Sequence, residues 1–166
     1  MEGQQFFTTI AGLSVSLAGF GAVIAWLRDD PSGWDPVNLW RVKTIVRHAL
    51  TIAFLCLALV PIHTFTQDDT MTIRLGSAMF LVFEILELLR VRRPDPVVWD
   101  PLSLKVYLTM GVVLGALEIA NIFLASLALL QVLVLLLLTS PAGIFTNFVR
   151  EMGAGTGSVG EADSGD

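Results

Sequence analysis

An uncharged apolar stretch from Phe6 to Leu27 constrains this chain more than any other feature. A helix of about 20 apolar residues is the length that crosses the roughly 30 Å hydrocarbon core of a bilayer. Only 15% of the chain is charged, whereas an average soluble domain is about 25% charged. The sequence therefore predicts an integral membrane protein, because a water-soluble fold would lack polar residues for its surface.

The remaining apolar runs predict further spans. The run from Val106 to Thr139 is 34 residues long, and as one helix it would measure about 50 Å, which is too long for one span. We therefore expect a reversal between Asn121 and Ser126. The predicted spans are about 6–27, 44–65, 73–89, 104–122 and 125–148.

These spans predict the fold class, an all-α transmembrane helical bundle of about five spans. One transmembrane domain covers residues 1–150. Residues 151–166 are rich in glycine and acidic side chains, and from Gly153 onward they lack the large apolar groups that support a packed core. We expect this segment to be a disordered tail.

The basic residues predict how the bundle is oriented. Lys and Arg collect in the short cytoplasmic loops of membrane proteins. With five spans, all basic residues except Arg74 fall on one side, as do the four tryptophans. The N-terminus is thus predicted outside and the C-terminus in the cytoplasm. The basic residues on the cytoplasmic side are Arg28, Arg41, Lys43, Arg47, Arg90, Arg92, Arg93, Lys105 and Arg150.

Small residues in the first span predict close helix packing. Spacing by four places Gly12 with Ser16, and Ala18 with Ala22, with Gly19 beside them. Small side chains on one face allow another helix to approach closely. This small-residue seam serves either packing within the bundle, which we favour, or association with a second copy.

Ionisable side chains lie inside the predicted spans near the basic side. Each costs about 2.5–3.5 kcal/mol in a membrane, so each needs a partner or a function. Counting residues from the basic boundary places His48 level with Glu84, and Arg47 level with Glu87. The sequence predicts an inner polar cluster of these four side chains.

Two further charges, Arg74 and Glu118, lie at similar heights toward the opposite side, where they could pair. Groups of this kind relay protons or bind cations in some membrane proteins. More often they are interhelical ties that neutralise one another and fix helix register, and this interpretation is favoured here. His48, Glu84, Glu87, Arg74 and Glu118 are the candidate site residues under either interpretation.

Motifs of enzymes and cofactor proteins are absent from the sequence. There is no paired metal-ligand spacing, phosphate loop or nucleophile motif. The lone Cys56 cannot form a disulfide within the chain, and no basic footprint for nucleic acid is present. We expect no cofactor, no metal and no nucleic-acid partner.

The most favoured function is a non-enzymatic structural or accessory membrane component. The alternative is a small homo-oligomeric ion channel or proton-linked transporter, and a lipid-acting enzyme comes third. Membrane lipid is the expected surrounding, and either a second copy of the chain or another membrane protein is the expected partner.

Three segments also carry a resemblance to known proteins. They are IAGLSVSLAGFGAVIAWLR at 10–28, LALVP at 57–61 and TNFVRE at 146–151. In this order they resemble a group of small uncharacterised bacterial multi-span inner-membrane proteins that has no agreed function. The resemblance implies a multi-pass protein of the bacterial inner membrane and transfers no catalytic residue. The group commonly has a glycine-containing turn before its last span, which this chain lacks.

Overall fold

The computed structural model of the protein describes residues 3–27, 36–90 and 101–155. These residues form five α-helices, which confirms the all-α prediction. The helices are α1 (Gln4–Leu27), α2 (Pro36–Thr66), α3 (Asp69–Arg90), α4 (Pro101–Leu124) and α5 (Leu127–Gly155).

The helices form one bundle around a shared apolar core. α1 packs along α2 and α3 packs along α4, while α5 contacts all four other helices. Phe7, Ile52, Phe80 and Leu133 meet in the core with almost no exposed surface. Within the described ranges α2 and α4 do not pack against each other. The space between these two helices forms a cavity.

The bundle exposes large apolar side chains on its surface and buries several polar side chains inside. Phe54, Val112 and Phe123 are each more than 60% exposed, whereas Glu87, Glu118 and Asn121 are buried. Four helices, α1, α2, α4 and α5, are long and apolar enough to cross a membrane. α3 carries more charge, but Glu84 and Glu87 on it are buried and Val82, Ile85, Leu86 and Leu89 are exposed. The outer face of α3 is therefore apolar between Val82 and Leu89, whereas Arg74 and Arg90 of the same helix are exposed.

Two tight turns join α2 to α3 and α4 to α5. Gln67 has φ 53° and Ala125 has φ 50°, so each turn uses one non-glycine residue in the left-handed conformation. In the second turn the Asn121 Oδ1 accepts a hydrogen bond from the backbone N–H of Ser126 at 3.0 Å. Ser126 Oγ then accepts from the N–H of Leu129 at 3.3 Å and caps α5. The chain thus reverses within the predicted segment without a glycine or proline.

The helix bounds differ most from the predicted spans at the start of α2 and the end of α5. α2 begins at Pro36 instead of residue 44, because proline fits the first turn of a helix, where no N–H partner is needed. α5 continues to Gly155, so the tail predicted for 151–166 was wrong for its first five residues. Helices propagate past their packed turns, since each added residue closes one more backbone hydrogen bond. The rest of the tail lies outside the described residues, as do Arg28, Arg92, Arg93, Trp34 and Trp99.

Candidate functional site

Glu87 is the centre of a buried ion-pair cluster between α2 and α3. Its side chain is 3% exposed and accepts hydrogen bonds from Arg47, at 2.8 Å, and from Arg90. His48 Nε2 lies 3.3 Å from the same carboxylate. Arg47 and Arg90 are 43% and 53% exposed, so their stems run along the bundle while their charged ends stay near its surface. One buried acid is thereby balanced by cations from two helices.

His48 is held rigidly within this cluster. Its Nδ1 lies 3.0 Å from the Thr44 carbonyl, which can only accept, so Nδ1 carries the hydrogen. The ring also packs edge-on against Phe83 with centroids 5.5 Å apart. In the neutral ring Nε2 would then be an acceptor facing a carboxylate, which is repulsive. The contact between Nε2 and the Glu87 carboxyl is favourable when a proton lies between the two atoms.

The predicted pairing of His48 with Glu84 is replaced by this contact with Glu87. The three residues from Glu84 to Glu87 turn the helix by about 300°, so Glu84 lies about 60° away from Glu87 around α3, on the side of α4. Its Oε2 is 3.5 Å from the position that a Cβ would occupy on Gly111. Arg47 and Glu87, predicted at the same depth, do form an ion pair.

A cavity of about 540 Å³ separates α2 from α4 at the end of the bundle that carries most basic residues. His48 and Glu84 contribute the ionisable groups on its inner wall. Polar groups of α5 join them, and leucine side chains close the deep end. Its other walls include Trp40, Arg41, Tyr107, Met110, Leu114, Leu137, Ser140 and Asn147.

A second polar site connects α3 to α4 near the opposite end. Asn121 Nδ2 donates a hydrogen bond to Ser77 Oγ at 2.8 Å, and both residues are fully buried. Glu118 lies close enough to Ser77 for an electrostatic interaction. Both of its carboxyl oxygens are nevertheless buried with no hydrogen-bond partner among the described residues. Glu118 is thus a buried acid whose neighbour Ser77 is already hydrogen-bonded to Asn121.

The predicted pair of Arg74 and Glu118 does not form. Arg74 is exposed, whereas Glu118 is 1% exposed. Thr72, Ile73, Gly76 and Ser77 turn toward the bundle, and Arg74 follows Ile73 by about 100° around the helix, which places it outside. Arg74 and Glu118 lie at similar heights but do not touch, because the height of a residue along a helix does not determine which way its side chain points.

The small-residue seam of α1 is mostly on the outside of the bundle. Only Ala18 of the five predicted residues is buried, while Gly12, Ser16, Gly19 and Ala22 are exposed. A Cβ added to Gly12 or Gly19 would meet no atom within 4 Å. Packing of this face within the bundle was therefore the wrong interpretation. α1 instead turns Ala11, Ser14, Ala18 and Gly21 inward.

Close helix packing occurs at glycines that sequence reasoning overlooked. A Cβ on Gly76 would lie 2.7 Å from Leu59 Cδ2, and one on Gly111 would lie 2.8 Å from Leu88 Cδ2. Gly111 and Gly115 are spaced by four in α4, which is a Gly-x-x-x-Gly pattern typical of close membrane-helix contacts. That pattern was the signal that could have located the α3–α4 interface and Glu84 beside it.

The described residues contain no group of three or more His, Cys, Asp or Glu side chains that could hold a metal ion. The bundle thus has two polar sites, the Glu87 cluster beside an open cavity and the Glu118 site between α3 and α4. Together with the four apolar helices, they define a helical bundle suited to a membrane. Comparison with family models, curated proteins and solved structures found no match, so the site must be interpreted from its own geometry.

Proposed function

We propose that the protein is a five-span integral protein of the bacterial inner membrane with a non-enzymatic structural or accessory role. One observation carries the membrane part of the proposal: polar side chains are buried and large apolar side chains are exposed, the reverse of a water-soluble protein. Glu87 and Asn121 are buried at 2% and 0%, while Phe123 is 76% exposed. Water would disfavour that surface, but lipid would solvate it.

The proposed topology has the N-terminus outside and the C-terminus in the cytoplasm. The alternating helix directions support it, since they place the starts of α2 and α4 and the ends of α3 and α5 at one end of the bundle. Arg41, Lys43, Arg90, Lys105 and Arg150 lie at that end. Positively charged ends of membrane helices face the cytoplasm.

Reporter fusions test this topology. Alkaline phosphatase, which is active only outside the inner membrane, should be active when inserted after Gln67 or Ala125 and inactive after Arg150. A cytoplasmic fluorescent reporter should give the opposite pattern. If α3 did not cross the membrane, the Gln67 and Ala125 fusions would report different sides, and the five-span proposal would fail.

The Glu87 cluster supports a structural role. Arg47, Arg90 and His48 are all engaged with one buried carboxylate, as expected of interhelical ties. Such a cluster fixes the register of α2 against α3. A rigid bundle of this kind can act through contacts with lipid or with another membrane protein, without performing chemistry.

Complementation of a deletion strain tests the role. Glu118→Gln, which alters chemistry but keeps packing, should restore the native phenotype if the role is structural. Gly76→Leu, which disrupts packing at a closed interface, should not restore it. Loss of complementation by a Glu118→Gln protein that still accumulates in the membrane would contradict the structural role.

A second candidate, a homo-oligomeric channel or proton-linked transporter, is supported by the uncompensated Glu118 and by the cavity with His48 and Glu84. Unpaired acids inside a membrane commonly mark ion or proton routes. Five spans are few for a monomeric transporter, so this candidate requires an oligomer, and the exposed Gly12 and Ser16 offer a face for one.

Native mass spectrometry in nanodiscs separates the two candidates. A defined oligomer of three or more chains, with liposome flux that Glu84→Gln or His48→Ala abolishes, would establish the channel. A monomer without flux across a wide pH range would remove it and leave the structural role.

A further inference from the structure

The cavity between α2 and α4 is shaped like a site for an elongated ligand. Leu102, which is 73% exposed, and Leu114, which is 6% exposed, both line it, so Leu102 marks its outer end and Leu114 its inner end. These residues are 12 positions apart on α4, so the cavity reaches about 18 Å into the bundle. Its volume of about 540 Å³ lies within the range of roughly 300–1,000 Å³ that holds drug-sized molecules.

The polar groups of the cavity define the charge that it favours. Glu84 lines the wall and is 8% exposed, whereas Arg47 and Arg90 are bonded to Glu87. His48 also lines the cavity, and its Nε2 contacts Glu87 at 3.3 Å. Arg41 also lines the cavity, toward the mouth, where its Nη1 donates to Asn38 Oδ1 at 3.4 Å. The acid inside the cavity is therefore left for a cation that enters it.

Two aromatic rings also line the cavity. Trp40 and Tyr107 both line the cavity, and the face of an aromatic ring attracts a cation. Apolar side chains of α4 and α5, including Met110, Leu114 and Leu137, cover the remainder. An acid, two aromatic rings and an apolar end are the groups that recognise a lipophilic cation.

From this arrangement we infer that the cavity binds lipophilic organic cations, with the positive centre beside Glu84 and the apolar part toward Leu114 and Leu137. A cation beside Glu84 favours the ionised carboxyl, so ligand and acid stabilise each other's charged forms. This binding site goes beyond the structural role proposed above, and neither depends on the other.

Binding of radiolabelled methyltriphenylphosphonium to the full chain in nanodiscs tests the inference, with empty nanodiscs subtracted. We expect saturable binding that Glu84→Gln weakens at least about tenfold, because breaking a buried charge pair costs more than 1.4 kcal/mol. Glu118→Gln is the matched control, since it neutralises a buried acid outside the cavity lining. It should leave the affinity unchanged.

Two further measurements separate charge from shape. Triphenylphosphine oxide, a neutral molecule of similar form, should compete at least about tenfold more weakly than the unlabelled cation. Met110→Trp, at a position 48% exposed on the cavity wall, should fill the cavity and abolish binding without changing its charge. Absence of saturable binding to the native chain, equal competition by the neutral molecule, or full affinity in Met110→Trp would each overturn the inference. If Glu84→Gln fails to fold, the Met110→Trp result and the neutral competitor decide.

Discussion

The close contact at Gly76 allows the effect of a substitution on the free energy of unfolding to be predicted. An alanine Cβ would lie 2.7 Å from Leu59 Cδ2 and 3.4 Å from Leu130 Cδ2. Both leucines are completely buried, so neither has space to rotate away. Overpacking of this kind costs about 1–3 kcal/mol, and the better helix propensity of alanine returns up to about 1 kcal/mol. We expect Gly76→Ala to lower the free energy of unfolding by about 1–2 kcal/mol.

Two other helical glycines are the controls for this experiment. At Gly111 the obstructing atom is Leu88 Cδ2 at 2.8 Å, but Leu88 is only half-buried and can shift, so Gly111→Ala should cost less than Gly76→Ala. Gly143 is exposed with no atom within 4 Å, and Gly143→Ala should be neutral or stabilising by up to about 1 kcal/mol. Unfolding by SDS in mixed micelles, followed by circular dichroism, measures all three. Equal stability of Gly76→Ala and Gly143→Ala would refute the packing argument.

Three further predictions use the same unfolding assay or a cross-linking assay. Glu87→Gln should destabilise the bundle by about 2 kcal/mol, because it weakens charged hydrogen bonds to a buried group. Arg47→Gln, at a partner that is 43% exposed, should cost less than about 1 kcal/mol. Equal effects of the two variants would argue against a cluster centred on Glu87. Ala125→Gly should raise stability by about 1 kcal/mol, since it relieves the left-handed φ of 50°; unchanged or lower stability would mean that the turn is not strained. If the exposed α1 face joins two copies, Gly12→Cys should form a disulfide-linked dimer in membranes. The native chain, whose Cys56 is buried, should form none. Cross-linking of Gly12→Cys no faster than random collision would rule out that face.

The turn between α4 and α5 shows how much of the fold sequence reasoning could reach. The length of the apolar run required a reversal, and the predicted segment is where the chain turns. The means of turning could not be predicted, because Ala125 adopts a left-handed conformation that alanine rarely takes. The Asn121 side chain supports it by accepting from the N–H of Ser126 and donating to Ser77. That last contact joins residues 44 positions apart.

The polar sites show a similar limit. Depth along a helix follows from residue counting at 1.5 Å per residue, so the levels of Arg47 and Glu87 could be compared directly. Direction around the helix depends on which face each helix turns inward, and that is decided by packing. Arg74 and Glu118 were therefore paired incorrectly, and His48 was assigned to Glu84 although it contacts Glu87.

The sequence by itself determined that the chain is helical and apolar, because uncharged runs of membrane-spanning length leave few other solutions for the backbone hydrogen bonds. It also predicted that nine of the ten basic residues collect on one side of the bundle. Only the tertiary structure decided that the glycines at close contacts lie in α3 and α4, that Glu87 contacts two arginines and a histidine, and that a cavity beside Glu84 separates α2 from α4. These features depend on the rotation of each helix about its axis, and rotation is set by contacts between residues that are distant in sequence.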